Sequence, residues 1–430
     1  MMGQLVPSMA PPPAAQKSQR RRDRLLRLLG GLALLAPLGG CTLDRELPNV
    51  LYLGVEVNPD ERFDAELRSD TRQRLVGLEN GYRQLHPNTH FQISLYPGQQ
   101  LAWAIQRRNR AGLGPDLLLL NGDTAVRLLK AGVIAPYPQT GVDLNPFDPQ
   151  LLDRLRTPSG ELAGLPLLVQ TQLACFNRQR LPVAPTTLQQ LLDTSAKGHP
   201  VGLSMEAHNL FWTVGSLGAL DAFDAAASGR QPSGAQQQAI ERWLTWLQNA
   251  SNQQRITFYA SQSSAEAEFQ AGRLDWFPCR SAAIPRLRKA LGDGLGVAPL
   301  PSGEGGDASP INKLRVLALG TNASRSSRER ALAFSHFSVN PLSQRNLTLG
   351  SQVVLPANRF VRVPVSSSAT LRAMVTSAEQ GSQTNPLVEL IHSNDPRVTE
   401  IQSLLTTLVF GEMSPTKAGQ SLMAILWKRP

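Results

Sequence analysis

The chain has 430 residues, 41% hydrophobic and 18% charged, with a formal net charge of +10. That length exceeds what one hydrophobic core usually supports, so two lobes are expected in a compact globular body. Half of the excess charge lies in residues 1–40, where six Lys or Arg accompany one acid; the other half is scattered, without the clustered basic footprint of a nucleic-acid binder.

The N-terminus comes first in chain order. Residues 1–17 are rich in Pro and Ala. Arg20, Arg21, Arg22, Arg24 and Arg27 then precede an apolar stretch, 30–40, that ends Leu38-Gly39-Gly40-Cys41. A basic region, an apolar region and small residues before a cleavage point make a secretory signal. With Cys at the first mature position, it resembles a bacterial lipoprotein signal. Residues 1–40 are therefore expected to be removed and Cys41 to be lipidated, with 41–49 as a tether. The apolar run is shorter than the 18–20 or so residues of a membrane span.

Residues 50–57 read as a strand ending near Glu56. From Asp64 the positions Leu67, Leu75, Leu78, Tyr82 and Leu85 fall at helical spacing, and His86-Pro87-Asn88 ends that helix. A strand over 90–96 is closed by Pro97-Gly98, and a helix over 100–110 is broken by Gly112. Gly114-Pro115-Asp116 leads into 117–120, an all-apolar run typical of a strand buried on both faces. Asn121-Gly122-Asp123 begins a short helix that stops at Gly132. Strand and helix thus alternate three times, which implies a parallel sheet wrapped by helices.

Farther on, 164–174 is β-like, 185–192 starts a helix, and 201–205 is strand-like. Residues 235–247 form an amphipathic helix through Ile240, Trp243, Leu244 and Leu247. A helix over 263–270 precedes a strand-like 274–277. The Gly- and Pro-rich 292–306 surrounds a short strand, 297–300. A strand over 315–320, a helix over 327–339 and a helical tail from Ser367 complete the chain. There is no internal repeat. Beyond Cys41 only Cys175 and Cys279 remain, outside any Cys-X-X-Cys or Cys/His cluster. Two buried free thiols are expected, with a disulfide as the alternative an oxidising compartment would permit.

Nine short segments, in order, resemble the extracellular solute-binding proteins of ABC importers, in the sugar-binding family that includes maltose-binding protein. They are Gly114-Pro115-Asp116; Ala131-Gly132 with Ile134-Ala135-Pro136; Leu162-Ala163-Gly164-Leu165-Pro166; Cys175-Phe176-Asn177-Arg178; and Pro185-Thr186-Thr187-Leu188 with Leu191-Leu192. The rest are Phe269-Gln270-Ala271-Gly272-Arg273; Val297-Ala298-Pro299-Leu300-Pro301; 331–337; and Leu355-Pro356-Ala357. Cys175 and Leu188 stand where the family commonly has aromatics.

The resemblance implies an α/β fold of two lobes, each a mostly parallel sheet flanked by helices, joined by hinge strands. Residues 50–168 with 280–325 are expected in one lobe, and 169–279 with 326–430 in the other. A ligand would lie in the cleft, beyond the carboxyl ends of the strands. Topology then nominates Glu56, Asn121, Asp123, Gln170, Gln172, Glu206, Asn209 and Arg280 for polar contacts, and Trp212, Tyr259 and Trp276 as flat faces for a sugar. Each has a plainer reading: Asp123 as a helix cap, Asn121 as a turn residue, Arg280 as half of an ion pair, the aromatics as core. Trp103 reads as packing, and Trp243 and Trp246 as core.

No Gly-X-Ser-X-Gly, His-Glu-X-X-His or phosphate-binding Gly-rich loop is present. The expectation is a non-enzymatic, lipid-anchored component on the periplasmic side of the plasma membrane. It would be a monomer without cofactor or metal, presenting a sugar or sugar-like osmolyte to permease subunits. The alternatives are the same scaffold holding a polyamine or an organic phosphate, or a secreted glycoside hydrolase.

Overall fold

The computed structural model describes residues 49–58, 61, 63–387 and 396–427, all within one compact unit. The signal, Cys41 and most of the tether lie outside the described residues.

The chain opens with β1 (Asn49–Val57), α1 (Ala65–Leu85), β2 (Thr89–Pro97), α2 (Gly98–Arg110), β3 (Leu117–Asn121), α3 (Gly122–Lys130) and β4 (Ile134–Ala135). The short α4 (Pro149–Asp153) precedes β5 (Leu165–Gln170). Past Thr171, β6 (Gln172–Asn177) belongs to a second sheet. There follow α5 (Leu188–Ala196), β7 (Val201–Ser204), α6 (Ala207–Leu210), α7 (Trp212–Ser216), α8 (Leu220–Ala227) and α9 (Gly234–Ser251). Next come β8 (Ile256–Tyr259), α10 (Gln262–Gln270), β9 (Trp276–Arg280), α11 (Ile284–Leu291) and β10 (Leu295–Ala298). The first sheet resumes with β11 (Lys313–Gly320), α12 (Arg325–Val339), α13 (Pro341–Ser351) and β12 (Leu355–Pro356). The described chain ends in α14 (Ala369–Gln380), α15 (Pro396–Val409) and α16 (Pro415–Trp427).

The first sheet has the order β12-β5-β11-β3-β1-β2, with β4 beside β11. β1 pairs in parallel with β2 and β3, as the alternation of strand and helix predicts. β11 runs antiparallel between β3 and β5. The Gly114-Pro115-Asp116 segment earns its place here: the Asp116 carboxylate accepts from Tyr52 N at 2.9 Å, and Asp116 O accepts from Gly320 N at 3.0 Å. A Cβ at Gly320 would stand 1.8 Å from the Pro115 oxygen, so only glycine allows that approach.

The second sheet has the order β10-β6-β9-β7-β8. Because successive side chains on a strand point to opposite faces, β6 and β9 split their residues between two cores. Leu173, Cys175, Phe277 and Cys279 share one face with Phe269 and Leu287. Ala174, Phe176 and Trp276 face the other, among Trp212, Trp243 and Trp246. Cys175 and Cys279 are thus diagonal neighbours on paired strands, and they form a disulfide, with Cα atoms 5.7 Å apart. This corrects the expectation of two free thiols: the alternation that buries them also aims them at each other.

Sheet membership differs from the expected grouping at two stretches. β10 pairs with β6 and α11 packs on α10 and β10, so 284–298 belongs with the second sheet, whereas α12 and α13 pack on β1, β5 and α1 of the first and β12 pairs with β5. The β-like stretch 164–174 is two strands in two sheets, and Thr171 itself is the crossing. Thr171 is fixed there by Ser281, whose N donates to Thr171 O at 2.9 Å and whose Oγ accepts from Thr171 N at 3.2 Å. The chain crosses again between β10 and β11 and between β12 and α14.

Candidate functional site

Two polar clusters form where the strands of each sheet end. In the first, the Glu56 carboxylate is 4% exposed and accepts from Asn121 N at 2.7 Å and from Thr124 Oγ1 at 2.8 Å. Arg315, buried on β11, donates from Nη1 to Asn121 Oδ1 at 3.0 Å and to Asn58 Oδ1 at 3.5 Å. Its Nη2 reaches Glu56 O at 2.8 Å and Leu119 O at 3.2 Å. Burial pushes the Glu56 carboxyl above its ordinary value, although Arg315, Asn121 and Thr124 all favour its charged form. Burial also lowers the Arg315 pKa against the pull of Glu56.

In the second cluster, Arg280 donates from Nη2 to Asn209 Oδ1 and from Nη1 to Ile311 O, both at 2.8 Å. Asn209 Nδ2 in turn donates to Glu206 Oε2 at 2.8 Å, an oxygen that also accepts from Gln262 N at 2.9 Å and Ser204 Oγ at 3.2 Å. Gln172 Nε2 donates to Asn209 O at 2.9 Å. Glu206, Asn209 and Gln172 therefore form a support behind Arg280, which ties the end of β9 to the second crossing at Ile311.

The two clusters meet at the crossings. A gap of about 10 Å³, room for about one water, is lined by Asn58, Glu61, Gln170 and Lys313 from the first sheet's side and by Gln262 and Arg280 from the second's. The Glu266–Arg286 pair, 2.9 Å apart, closes its edge. Asn58, Glu61 and Gln170 also line an adjoining cavity of about 60 Å³ with Glu56 and Arg315. Gln172 Oε1 and Gln262 Oε1 are buried without a hydrogen-bond partner among the described residues. Two larger cavities, about 420 Å³ between α1 and α13 and about 680 Å³ between α9 and α16, gather no strand-end cluster.

Of the residues nominated from sequence, Gln170 and Arg280 line the gap, and Glu56 and Asn121 stand in the network beside it. Asp123 is exposed at the start of α3. The three aromatics are elsewhere. Trp212 and Trp276 are fully buried in the second lobe, ring centroids 6.2 Å apart. Tyr259 is half-buried and packs with the core on the α10 side of the sheet. Trp103, read as packing, is 64% exposed. Sequence reasoning missed Asn58, Glu61, Gln262, Lys313 and Arg315. The available signal was in β11, where Lys313 and Arg315 are the only charges of an eight-residue strand that is otherwise apolar.

The family model for bacterial extracellular solute-binding proteins matches residues 82–369. None of the curated proteins matches the chain by sequence. Among solved structures, the chain is similar to the GacH receptor of Streptomyces glaucescens, at 15% identity and a TM-score of 0.69, over 90% of this chain and 100% of that one. It is similar to the maltose-maltodextrin binding protein of Alicyclobacillus acidocaldarius, at 18% identity and a TM-score of 0.62, over 88% and 100%. A third is an ABC transporter solute-binding protein of Thermotoga lettingae, at 14% and 0.63, over 88% and 100%. These likenesses establish the two-lobed α/β fold of periplasmic binding proteins. With the family model spanning well over half of its length, the chain belongs to the bacterial extracellular solute-binding proteins, a family of binding proteins rather than enzymes.

Proposed function

We propose that the chain captures a small polar solute, a sugar or sugar-like osmolyte, between its lobes and presents it to the permease of an ABC importer without chemically changing it. The observation that carries this reading is the gap at the crossings, where amide, carboxylate and cationic groups from two separate sheets face one another across about 10 Å³. A sugar needs far more room, so the lobes must swing apart about Thr171 and the other crossings to admit it. The ligand then favours closure only through contacts it makes with both sides at once. Gln170, Arg280, Glu56 and Asn121 from the sequence reading, joined by Asn58, Glu61 and Gln262, are the proposed contacts; Gln172, Glu206 and Asn209 hold Arg280 in place. Known ligands of similar folds support a sugar: the GacH receptor was solved with acarbose and the Thermotoga protein with α-D-tagatose.

Anchoring belongs to the same reading. Cys41, lipidated after removal of 1–40, would hold a monomer at the periplasmic face of the plasma membrane. Among the described residues no helix is long and apolar enough to cross a membrane. Replacing Cys41 with Ser should abolish lipid labelling; unchanged labelling would refute the anchor.

Calorimetry with glucose, maltose, trehalose and a glycosylated polyol tests the ligand class. Binding of at least one, without turnover, supports the proposal. Failure of all of them, together with binding of an organic phosphate or a polyamine, would replace the sugar reading, and hydrolysis of a glycosidic substrate would replace it with an enzyme.

A further inference from the structure

The parallel strands of the first lobe send one end to the cleft and the other to an opposite pole. Three helices finish at that pole, and each carries basic residues in its last turn: Arg83 in α1; Arg107, Arg108 and Arg110 in α2; Arg127 and Lys130 in α3. β11 runs antiparallel, so α12 begins there with Arg325 and Arg328. The contacts confirm the gathering. Asn322 Nδ2 donates to Asn109 O, joining the approach to α12 with the end of α2, and Arg328 donates to Pro136 O at 3.4 Å, just past β4.

Basic residues complement helix C-termini one at a time. Three observations go beyond that. Arg83, Arg107, Arg110, Arg127 and Arg325 are all exposed. Of the acids next to these cations in sequence or space, Glu329 pairs with Arg325 at 3.2 Å, Asp116 accepts from Tyr52 N, and Glu79 lies one turn from Arg83. One turn before Arg107, the exposed Trp103 lies under the Arg107 guanidinium, 5.4 Å from the ring centroid, and α2 has no acid in its first turn. An exposed tryptophan among arginines suits a membrane–water interface, where the ring sits at headgroup level and the cations meet anionic lipid.

The chain's own connectivity names the occupant. β1 starts at this pole, with Asn49 N donating to Asn88 O at 3.1 Å. Eight residues lead from Cys41 to Asn49, a reach of at most about 28 Å at 3.5 Å or so each. Asp44, Arg45 and Glu46 in that stretch leave it nearly neutral. We propose that, while the chain is not engaged with a permease, the basic pole of the first lobe, with Trp103 one turn before Arg107, docks on the anionic headgroups of the bilayer. The biological setting rests on the Cys41 anchor, but the attraction itself does not.

The test uses a chain beginning at Thr42, which retains every described element and carries no lipid. It should float with vesicles containing phosphatidylglycerol, not with pure phosphatidylcholine, and detach near 1 M salt, where screening acts within about 3 Å. R107E/R110E/R127E should weaken partitioning by at least about a hundredfold, from roughly five-fold per arginine removed, with the added carboxylates repelled besides. R178E/R242E/R372E, at exposed sites of the second lobe, should change it far less. In a Trp427→Phe background, brominated lipid should quench fluorescence, and Trp103→Phe should remove the quenching. Equal binding to both vesicle types, no binding, or equal loss in the two triple variants would overturn the proposal. So would quenching that survives Trp103→Phe. If the full chain proves unlipidated while the vesicle results hold, the anchor reading fails and this one stands.

Discussion

Arg315 donates to the main-chain oxygen of Glu56 at 2.8 Å while the carboxylate of Glu56 accepts from Asn121 N at 2.7 Å. Because Arg315 also reaches Asn121 Oδ1, the three residues close a ring that binds the ends of β1 and β3 to β11. Glu56 and Arg315 line the cavity adjoining the gap, so the ring's integrity sets the shape of the first lobe's half of the site.

Replacing Arg315 with Met should therefore destabilise the chain by about 3–5 kcal/mol, because it leaves a buried carboxylate and an amide oxygen without their cation. Glu56→Gln alone should cost much less, and the double variant should recover part of the loss. Urea unfolding of the four proteins measures the coupling.

Stability should also carry a pH signature of Glu56. Burial holds its folded-state pKa above the ordinary 4.5. The folded chain then keeps a proton that the unfolded chain has released, so this group's contribution to stability falls as pH rises from about 4.5 through the raised value. Glu56→Gln should remove that part of the slope. Urea midpoints followed from about pH 4 to about pH 8 would show it, and an unchanged slope would exclude Glu56 as its source.

Removing the disulfide with Cys175→Ala and Cys279→Ala should cost about 2–5 kcal/mol, since a crosslink over a long loop restricts the unfolded chain most. The bridged residues are 104 apart in sequence. Denaturation with and without a reductant should reproduce the difference in the native chain and show none in the variant.

Gln170 and Trp212 should separate binding from stability. The Gln170 side chain is buried and lines the gap. Gln170→Ala should weaken sugar binding by about 1 kcal/mol, roughly five-fold, and leave the urea midpoint nearly unchanged. Trp212→Ala should instead cost about 3–5 kcal/mol of stability, as deletion of a packed indole does, with sugar affinity preserved in the molecules that stay folded.

The first lobe was legible because its helices and strands carry different periods, and because Gly114-Pro115-Asp116 marks the start of a strand with no polar side chain in its first four positions. The aromatics were misassigned for the opposite reason. In the run Trp276-Phe277-Pro278-Cys279-Arg280 both faces of the strand are apolar, so nothing local tells which core, or whether the cleft, receives Trp276. Arg315 was passed over because a cation near the start of a strand reads as a solvated end. Only the placement of β11 between β3 and β5 turns it inward, onto the ends of β1 and β3. Gln262 follows the same logic: its partners Glu206 and Pro278 come from two separate stretches.

The most direct test of capture by closure is the distance between spin labels at Arg68 on α1 and Arg288 on α11, both exposed and on opposite lobes. Added in turn, the sugars and polyol of the calorimetric panel should shift the population toward the shorter distance for whichever one binds, in proportion to its occupancy. A single distance, unmoved while calorimetry shows a saturating sugar bound, would contradict it.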